Sequence, residues 1–315
     1  MQHSQKDLKG HLAAWFTVGL WGSTFISTKV LLRSFSPVEI LFFRFLLGYI
    51  ALWFACPRRL KKTTGKQELM FAAAGLSGVT MHYLLENVAL NHTLASNVGV
   101  LASVAPLFTA LFALVFLRDS EHLGSNFFIG FACAIAGIVM ISANGEAGTE
   151  AGLLGDMLAL VSAAAWGVYA ILTRKISEWG IDPILMTRHI FAYGLLFMLP
   201  ALPLMGFDPD PAMLLQPLNI FNLAYLGLGA SAACFATWNI AVGELGAVKT
   251  SSYLYMAPVI TVTASALILH EHMSPMAMGG ALLTLLGLIL SERKPGRKAK
   301  RSKIKAESAA QSKAA

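Results

Sequence analysis

Runs of about twenty apolar residues, each ended by charge, proline or glycine, recur along nearly the whole of this 315-residue chain. The hydrocarbon core of a bilayer is about 30 Å thick and takes about 20 helical residues to cross. No water is present there to satisfy backbone N–H and C=O groups, so such runs must be helical. They fall at 11–31, 38–56, 69–90, 96–117, 125–142, 152–174, 184–205, 218–242, 248–270 and 275–291. Their length excludes a β-barrel, whose strands need only about ten residues of alternating polarity. Hydrophobic residues make up 56% of the chain and charged ones 13%, about half the charged share of a soluble domain. A water-facing surface cannot be built from that amount, so a soluble globular enzyme is excluded. The expected class is an all-α membrane protein with ten transmembrane helices.

Lysine and arginine set the expected orientation. With the N-terminus inside, twenty of them fall in cytoplasmic segments and two, Lys29 and Arg33, outside, while Arg44 and Arg188 fall within spans. The inside group includes Arg58, Arg59, Lys61, Lys62, Lys66, Arg118, Arg174, Lys175, Lys249 and the basic tail. Both termini are therefore expected in the cytoplasm, in a multi-pass protein of the plasma (cytoplasmic) membrane. The first apolar run has no small-residue cleavage site and is read as a retained span. The net charge of +7 belongs to loops and tail, where it meets anionic lipid, and nucleic acid is not expected as a partner. Cys56, Cys133 and Cys234 show no paired spacing, so neither a disulfide nor a zinc site is indicated.

The two halves of the chain resemble each other. Residues 83–106 align with 235–258 without a gap, matching Asn87 to Asn239, Ala89 to Ala241, Ala95 to Ala247 and Ala105-Pro106 to Ala257-Pro258. Gly130 and Gly137 match Gly280 and Gly287, and Trp21-Gly22 matches Trp166-Gly167. The expected organisation is a cytoplasmic N-terminus at 1–10, a first five-helix repeat at 11–142, an external linker at 143–151, a second repeat at 152–291 and a basic cytoplasmic tail at 292–315. Five spans is an odd number, so the second copy lies upside down relative to the first. Inverted repeats of this kind are typical of secondary transporters with a central site near the midplane.

These features together resemble the drug/metabolite transporter superfamily, specifically its EamA-type ten-helix exporters. The resemblance is carried by Trp21-Gly22 and Trp166-Gly167, the alanine pairs Ala89/Ala95 and Ala241/Ala247, the two Ala-Pro pairs, and the ending Leu269-His270-Glu271. Leu117-Arg118-Asp119-Ser120-Glu121 fits that ending only with an insertion, and in register Arg44 pairs with Ile190. The resemblance covers residues 11 to 291. It implies transport of small metabolites, often amino-acid-like, driven by an ion gradient.

Polar residues inside spans are costly, of order +2.5–3.5 kcal/mol for a charge at a helix centre, and by default mark function. His82 and Glu86 lie four residues apart on one face of the third span, with Asn87 adjacent. Arg44 lies at comparable depth in the second. His82, Glu86 and Arg44 are the proton-coupling candidates; the structural alternative is an Arg44–Glu86 pair that staples two helices. Register sets Trp238 opposite Glu86, so the acid is not duplicated. Substrate contacts are expected from Trp21, Tyr83, Glu86, Asn87, Trp166, Tyr169, Trp238 and Asn239, because a solute cavity needs flat apolar walls and a few polar groups. Pro106 and Pro258 are candidate hinges. Arg188 is expected to snorkel to the headgroups, and the four matched glycines to serve close helix packing.

The expected function is a secondary transporter, in the exporting direction, for amino acids or related metabolites, working by alternating access without a cofactor or metal. Partners expected are the solute, membrane lipid, a coupled proton and a second copy of the chain in a homodimer. Two alternatives stand beside it. One is an intramembrane serine hydrolase using Ser77 of Gly75-Leu76-Ser77-Gly78, and the other a membrane scaffold that transports nothing.

Overall fold

The computed structural model describes residues 2–60, 63–116, 125–143, 150–271 and 273–291. The Leu117 to Glu121 ending, linker residues 144–149 and the basic tail lie outside the described residues.

The described residues are helical almost throughout, with no strand among them. The helices are α1 (Gln2–Leu31), α2 (Pro37–Ala55), α3 (65–92), α4 (Ala95–Phe116), α5 (Ser125–Ala143), α6 (Glu150–Ser177), α7 (Pro183–Met198), α8 (Pro217–Leu245), α9 (Ala247–Leu269) and α10 (Pro275–Ser291). Among the described residues five stretches are long and apolar enough to cross a membrane: α2, α4, Gly152–Ser177, α8 and α9. Ser125–Ile141, α7 and α10 are shorter apolar helices.

Local sequence explains where helices begin. Ser36-Pro37-Val38-Glu39 forms a capping box: the Glu39 N–H donates to Ser36 Oγ, the Ser36 N–H donates to Glu39 Oε2 at 2.7 Å, and Pro37 occupies the first turn, where its missing N–H costs nothing. Thr64 and Gln67 form a second capping box at α3, and at α7 Asp182 caps alone, accepting from the Ile184 and Leu185 N–H groups, with Pro183 in the first turn.

Four helices are irregular, and two pairs of irregularities recur at matched positions, while a further π-helical stretch at Ser265–Leu269 of α9 stands apart from them. Helix α3 is π-helical over Leu76–Met81, just before Tyr83, and α8 over Tyr225–Ala233, just before Phe235. Helix α4 breaks after Ala102 and restarts at Ala105-Pro106, while α9 narrows to a 3-10 helix over Ser252–Met256 and restarts at Ala257-Pro258. Each proline cannot donate to the residue four before it, Ala102 or Leu254, which accounts for a break at that point.

Packing follows the same correspondence. Helix α1 lies on α8 as α6 lies on α3; α2 lies on α8 as α7 lies on α3; α2 meets α7, α4 meets α9, and α5 meets α10. Residues matched in sequence face each other at the centre. Ring centroids are 5.0 Å apart for Trp21 and Trp166, 4.9 Å for Phe45 and Phe191, and 5.9 Å for Tyr83 and Phe235. Gly75 abuts the Ile190 carbonyl, and its match Gly227 abuts the carbonyl of Arg44, the match of Ile190.

Helices α5 and α10 touch backbone to backbone, as expected of Gly130, Gly137, Gly280 and Gly287. A β-carbon built on Gly137 would lie 2.3 Å from Thr284 Oγ1 and 2.4 Å from the Gly280 carbonyl oxygen, whereas one on Gly19 would meet nothing within 4 Å. Gly137→Ala is therefore expected to destabilise the protein by about 1–3 kcal/mol through overpacking, read as a lower melting temperature in detergent. Gly19→Ala is expected to leave melting unchanged or raise it slightly; equal melting of the two variants would contradict this packing.

Candidate functional site

A cavity of about 50 Å³ lies where the broken helices meet. Its walls are Trp21, Thr24 and Phe25 of α1; His82, Tyr83 and Glu86 of α3; Gly99, Ala102, Ser103 and Ala105 of α4; Trp166 of α6; and Leu254 and Ala257 of α9. Both residues deprived of a proline N–H, Ala102 and Leu254, are in this wall. A water needs about 10–15 Å³ of such space and a drug-sized ligand occupies a pocket of about 300 Å³ or more, so this space has room for a few waters at most.

The rings are held by each other and by one carbonyl. Trp21 donates its indole N–H to the Ala230 carbonyl at 2.8 Å, in the π-helical part of α8. It meets Trp166 edge-on at 88°, and Trp238 at 5.2 Å between centroids. Phe235 is the hub, within 5.9 Å of Trp21, Phe45, Tyr83, Trp166, Tyr169 and Phe191.

His82 and Glu86 form a pair whose protonation is constrained. His82 Nδ1 lies 2.9 Å from the Ser162 carbonyl oxygen, which can only accept, so Nδ1 carries a hydrogen. His82 Nε2 then faces Glu86 Oε2 at 3.6 Å. A bare ring nitrogen facing a bare carboxylate is repulsive, so one proton on either group makes the contact favourable.

Arg44 is fully buried. Its Nε donates to Ser231 Oγ at 3.1 Å and its guanidinium carbon lies 4.2 Å from the Tyr83 ring centroid. Nη1 and Nη2 have no hydrogen-bond partner. Among the described residues no carboxylate forms an ion pair with it, and the Arg44–Glu86 staple is not formed. A desolvated cation–π contact is worth about 2 kcal/mol, less than the several kcal/mol that desolvating an ion costs. The indole N–H groups of Trp166 and Trp238 are likewise buried without an acceptor.

The structure divides the expected site residues. Trp21, His82, Tyr83, Glu86 and Trp166 line the cavity. Tyr169 and Trp238 are fully buried in the ring layer packed on it. Asn87 donates to the Pro37 carbonyl at 3.1 Å, while Asn239 accepts from the Tyr169 hydroxyl at 3.1 Å and donates to Thr187 Oγ1 at 2.8 Å, so both amides join helices. Pro106 and Pro258 stand beside the cavity through Ala105 and Ala257. Thr24, Phe25, Gly99, Ala102, Ser103 and Leu254 were not singled out from sequence. The first two were legible as the next turn from Trp21, and Ala102 and Leu254 as the residues four before each proline.

Other groups find structural work. Arg188 does not snorkel: it donates to the Cys56 and Arg58 carbonyls at the end of α2 and lies 4.2 Å from the Trp53 ring centroid. The Ser77 hydroxyl donates to Ala73 O in its own helix at 2.8 Å. Glu271 caps α4, accepting from the Ala95 and Ser96 N–H groups at 3.0 and 3.1 Å and from the Ser96 and Ser265 hydroxyls.

One helical turn beyond the cavity, a second cleft of about 400 Å³ is lined by Lys29, Leu32, Arg33, Leu90, Asn91, Leu269 and Glu271. Lys29 follows Phe25, and Leu90 follows Glu86, by four residues, about 6 Å along each helix. The opposite end is held by contacts between helices. Glu68 of α3 accepts from Tyr193 of α7 and contacts its His189 at 3.0 Å, and Arg174 of α6 donates to the Gly243 carbonyl of α8 at 3.1 Å.

Comparison with known proteins bears on these arrangements. The model of the EamA-like transporter family matches residues 8–143 and again 153–293. An "Uncharacterized transporter" of Archaeoglobus fulgidus is 29% identical over 290 residues, covering 91% of this chain and 98% of that one. A "Probable terminal-alkyne amino-acid exporter" of Streptantibioticus cattleyicolor is 28% identical, covering 90% and 94%. A "Probable amino-acid metabolite efflux pump" of Salmonella typhimurium is 26% identical, covering 91% and 95%. One crystal structure shares the fold, with a TM-score of 0.64 at 18% identity over 91% of this chain and 96% of that one.

Trp21→Phe keeps a ring in the wall but strands the Ala230 carbonyl. The expected cost is about 1–3 kcal/mol, measured as a lower melting temperature in detergent. Trp15→Phe, at a half-exposed ring, is expected to cost little; equal losses would mean the indole bond does not hold α1 to α8.

Proposed function

The chain belongs to the EamA-like transporter family, and on that premise we propose that it is a secondary transporter exporting amino acids or related small metabolites by alternating access. The observation that carries this reading is the central cavity, walled by residues from both halves and roofed by helices that break at matched prolines. The names of the relatives as amino-acid exporter and efflux pump support the solute class. Ten spans arranged as two inverted repeats, 11–142 and 152–291, are supported by the twofold matching of the family and by the matched packing of α1 on α8 and α6 on α3. Five helices apart, each matched pair runs in opposite directions. The plasma membrane location, both termini in the cytoplasm, rests on the distribution of lysine and arginine.

In this mechanism the closed form is midway between two open ones. Because the halves have the same packing, the contacts that seal one end have counterparts at the other, and separation can occur at either. The breaks beside Pro106 and Pro258 are where α4 and α9 bend. The wider cleft at Lys29 and Glu271 opens outward, and the Glu68–His189–Tyr193 and Arg174–Gly243 contacts close the cytoplasmic end. Trp21, Tyr83 and Trp166 contact the solute; Tyr169, Trp238, Asn87 and Asn239 hold those walls in place. The shared proton of His82 and Glu86 is the coupling device: a solute ammonium arriving at Glu86 displaces it, and its return releases the solute. Ser77 has no part.

The test is radiolabelled amino-acid flux in proteoliposomes with an imposed pH gradient. Glu86→Gln is expected to retain exchange but lose its dependence on the gradient, Trp166→Ala to reduce flux by about tenfold or more, and Ser77→Ala to leave it unchanged. Flux lost with Ser77→Ala but intact in Trp166→Ala and Glu86→Gln would refute the transport reading. Unaltered pH dependence in Glu86→Gln would refute the coupling role alone.

A further inference from the structure

We propose that the centre of the bundle contains a carboxylate-binding subsite formed by the Arg44 guanidinium and the Trp166 indole N–H. The assignment of that carboxylate to the transported solute rests on the reading of the protein as a transporter; the subsite itself does not.

The argument starts from unmatched donors. Arg44 is fully buried, yet Nη1 and Nη2 donate to nothing. Trp166 lines the cavity, and its buried Nε1 also lacks an acceptor. Arg44 is not itself in the cavity wall but lies directly behind Tyr83, which is; buried donors are almost always satisfied, so donors in and behind one wall suit an acceptor that enters there. The acid that lines the cavity does not fill this need: Glu86 is turned to His82 at 3.6 Å. The Tyr83 ring stands between, lining the cavity and covering the guanidinium at 4.2 Å. A ring face stabilises the cation but accepts no N–H, so the paired Nη donors keep the geometry that suits a two-oxygen acceptor. Nε is already fixed by Ser231 at 3.1 Å, which orients the fork in advance.

The chemistry is that of a monocarboxylate with a flat or apolar body. The carboxylate takes the two Nη groups and the Trp166 N–H, and the body replaces ring contacts among Trp21, Tyr83 and Trp166. Taken with Glu86, which offers a place for an ammonium, the cavity presents complementary charge to a zwitterion. The space of about 50 Å³ is too small for such a molecule, so binding selects a more open form and is read as stabilisation of the folded protein. An inorganic anion such as chloride could meet the same donors, and the test separates the two.

Purified full-length protein in detergent is melted at constant ionic strength while sodium benzoate replaces sodium chloride, with benzamide and benzylamine hydrochloride as the neutral and cationic counterparts. The expected result is a saturable rise in melting temperature with benzoate only. Arg44→Gln should abolish it, Arg44→Lys should retain part of it, and Trp166→Phe should weaken benzoate about tenfold, the scale of one charge-assisted hydrogen bond. Should Arg44→Gln fail to fold, Arg44→Lys and Trp166→Phe carry the test. No benzoate effect in the unaltered protein, or an effect indifferent to all these variants, overturns the subsite. Stabilisation by chloride over a chloride-free buffer, lost in the same variants and not enhanced by benzoate, also overturns the carboxylate assignment. Amino-acid flux measured in parallel keeps the two readings apart: a benzoate shift without any flux refutes transport and leaves the subsite, and flux without the shift does the reverse.

Discussion

Within hydrocarbon no water completes a hydrogen bond, and each buried polar group must find its partner inside the bundle. Most of this structure can be derived from that constraint. Threonines and serines bond back to their own helices, as Thr109 does to Ala105 and Thr187 to Pro183. Helix ends are closed by side chains from elsewhere: Arg188 finishes α2, and Glu271 starts α4. Among the buried side-chain atoms without a hydrogen-bond partner in the described residues are the Trp166 indole N–H, in the cavity wall, and the two Nη groups of Arg44, behind Tyr83.

The centre is also where the chain is least regular. Two π-helical stretches, one helix interruption and one 3-10 segment lie in or beside the helices that wall the cavity. Each loosens a hydrogen-bond ladder that is otherwise rigid, and two of them are dictated by a proline. Away from the centre, α5 and α10 meet through glycine at backbone contact and offer no such freedom. Rigid periphery and irregular core together suit a protein whose middle rearranges while its outer pair stays joined.

The helices themselves were readable residue by residue. The expected span 38–56 is α2 at Pro37–Ala55, and 275–291 is α10 at Pro275–Ser291, because hydrophobic length and the capping residues are both local properties. Three of the five cavity-lining residues anticipated from sequence, His82, Tyr83 and Glu86, lie within five positions of one helix, where spacing alone puts them near one another. The amides Asn87 and Asn239, expected against solute, also join helices, and Arg188, expected at the headgroups, caps α2. A side chain's nearest partner across a bundle depends on which helices are neighbours, and polarity along one strand of sequence does not contain that.

What the sequence by itself determined is the helical class, the approximate placing of the helices, the internal duplication and the asymmetry of charge between the halves. These follow from composition and periodicity, which are sums over neighbours along the chain. Only the tertiary structure decided that Arg44 forms no ion pair among the described residues, that His82 Nε2 faces Glu86 Oε2 at 3.6 Å, and that the residues four before each proline face one cavity. Those facts depend on distances of a few ångströms between helices up to two hundred residues apart in sequence, set by how the rings and glycines of the whole bundle pack.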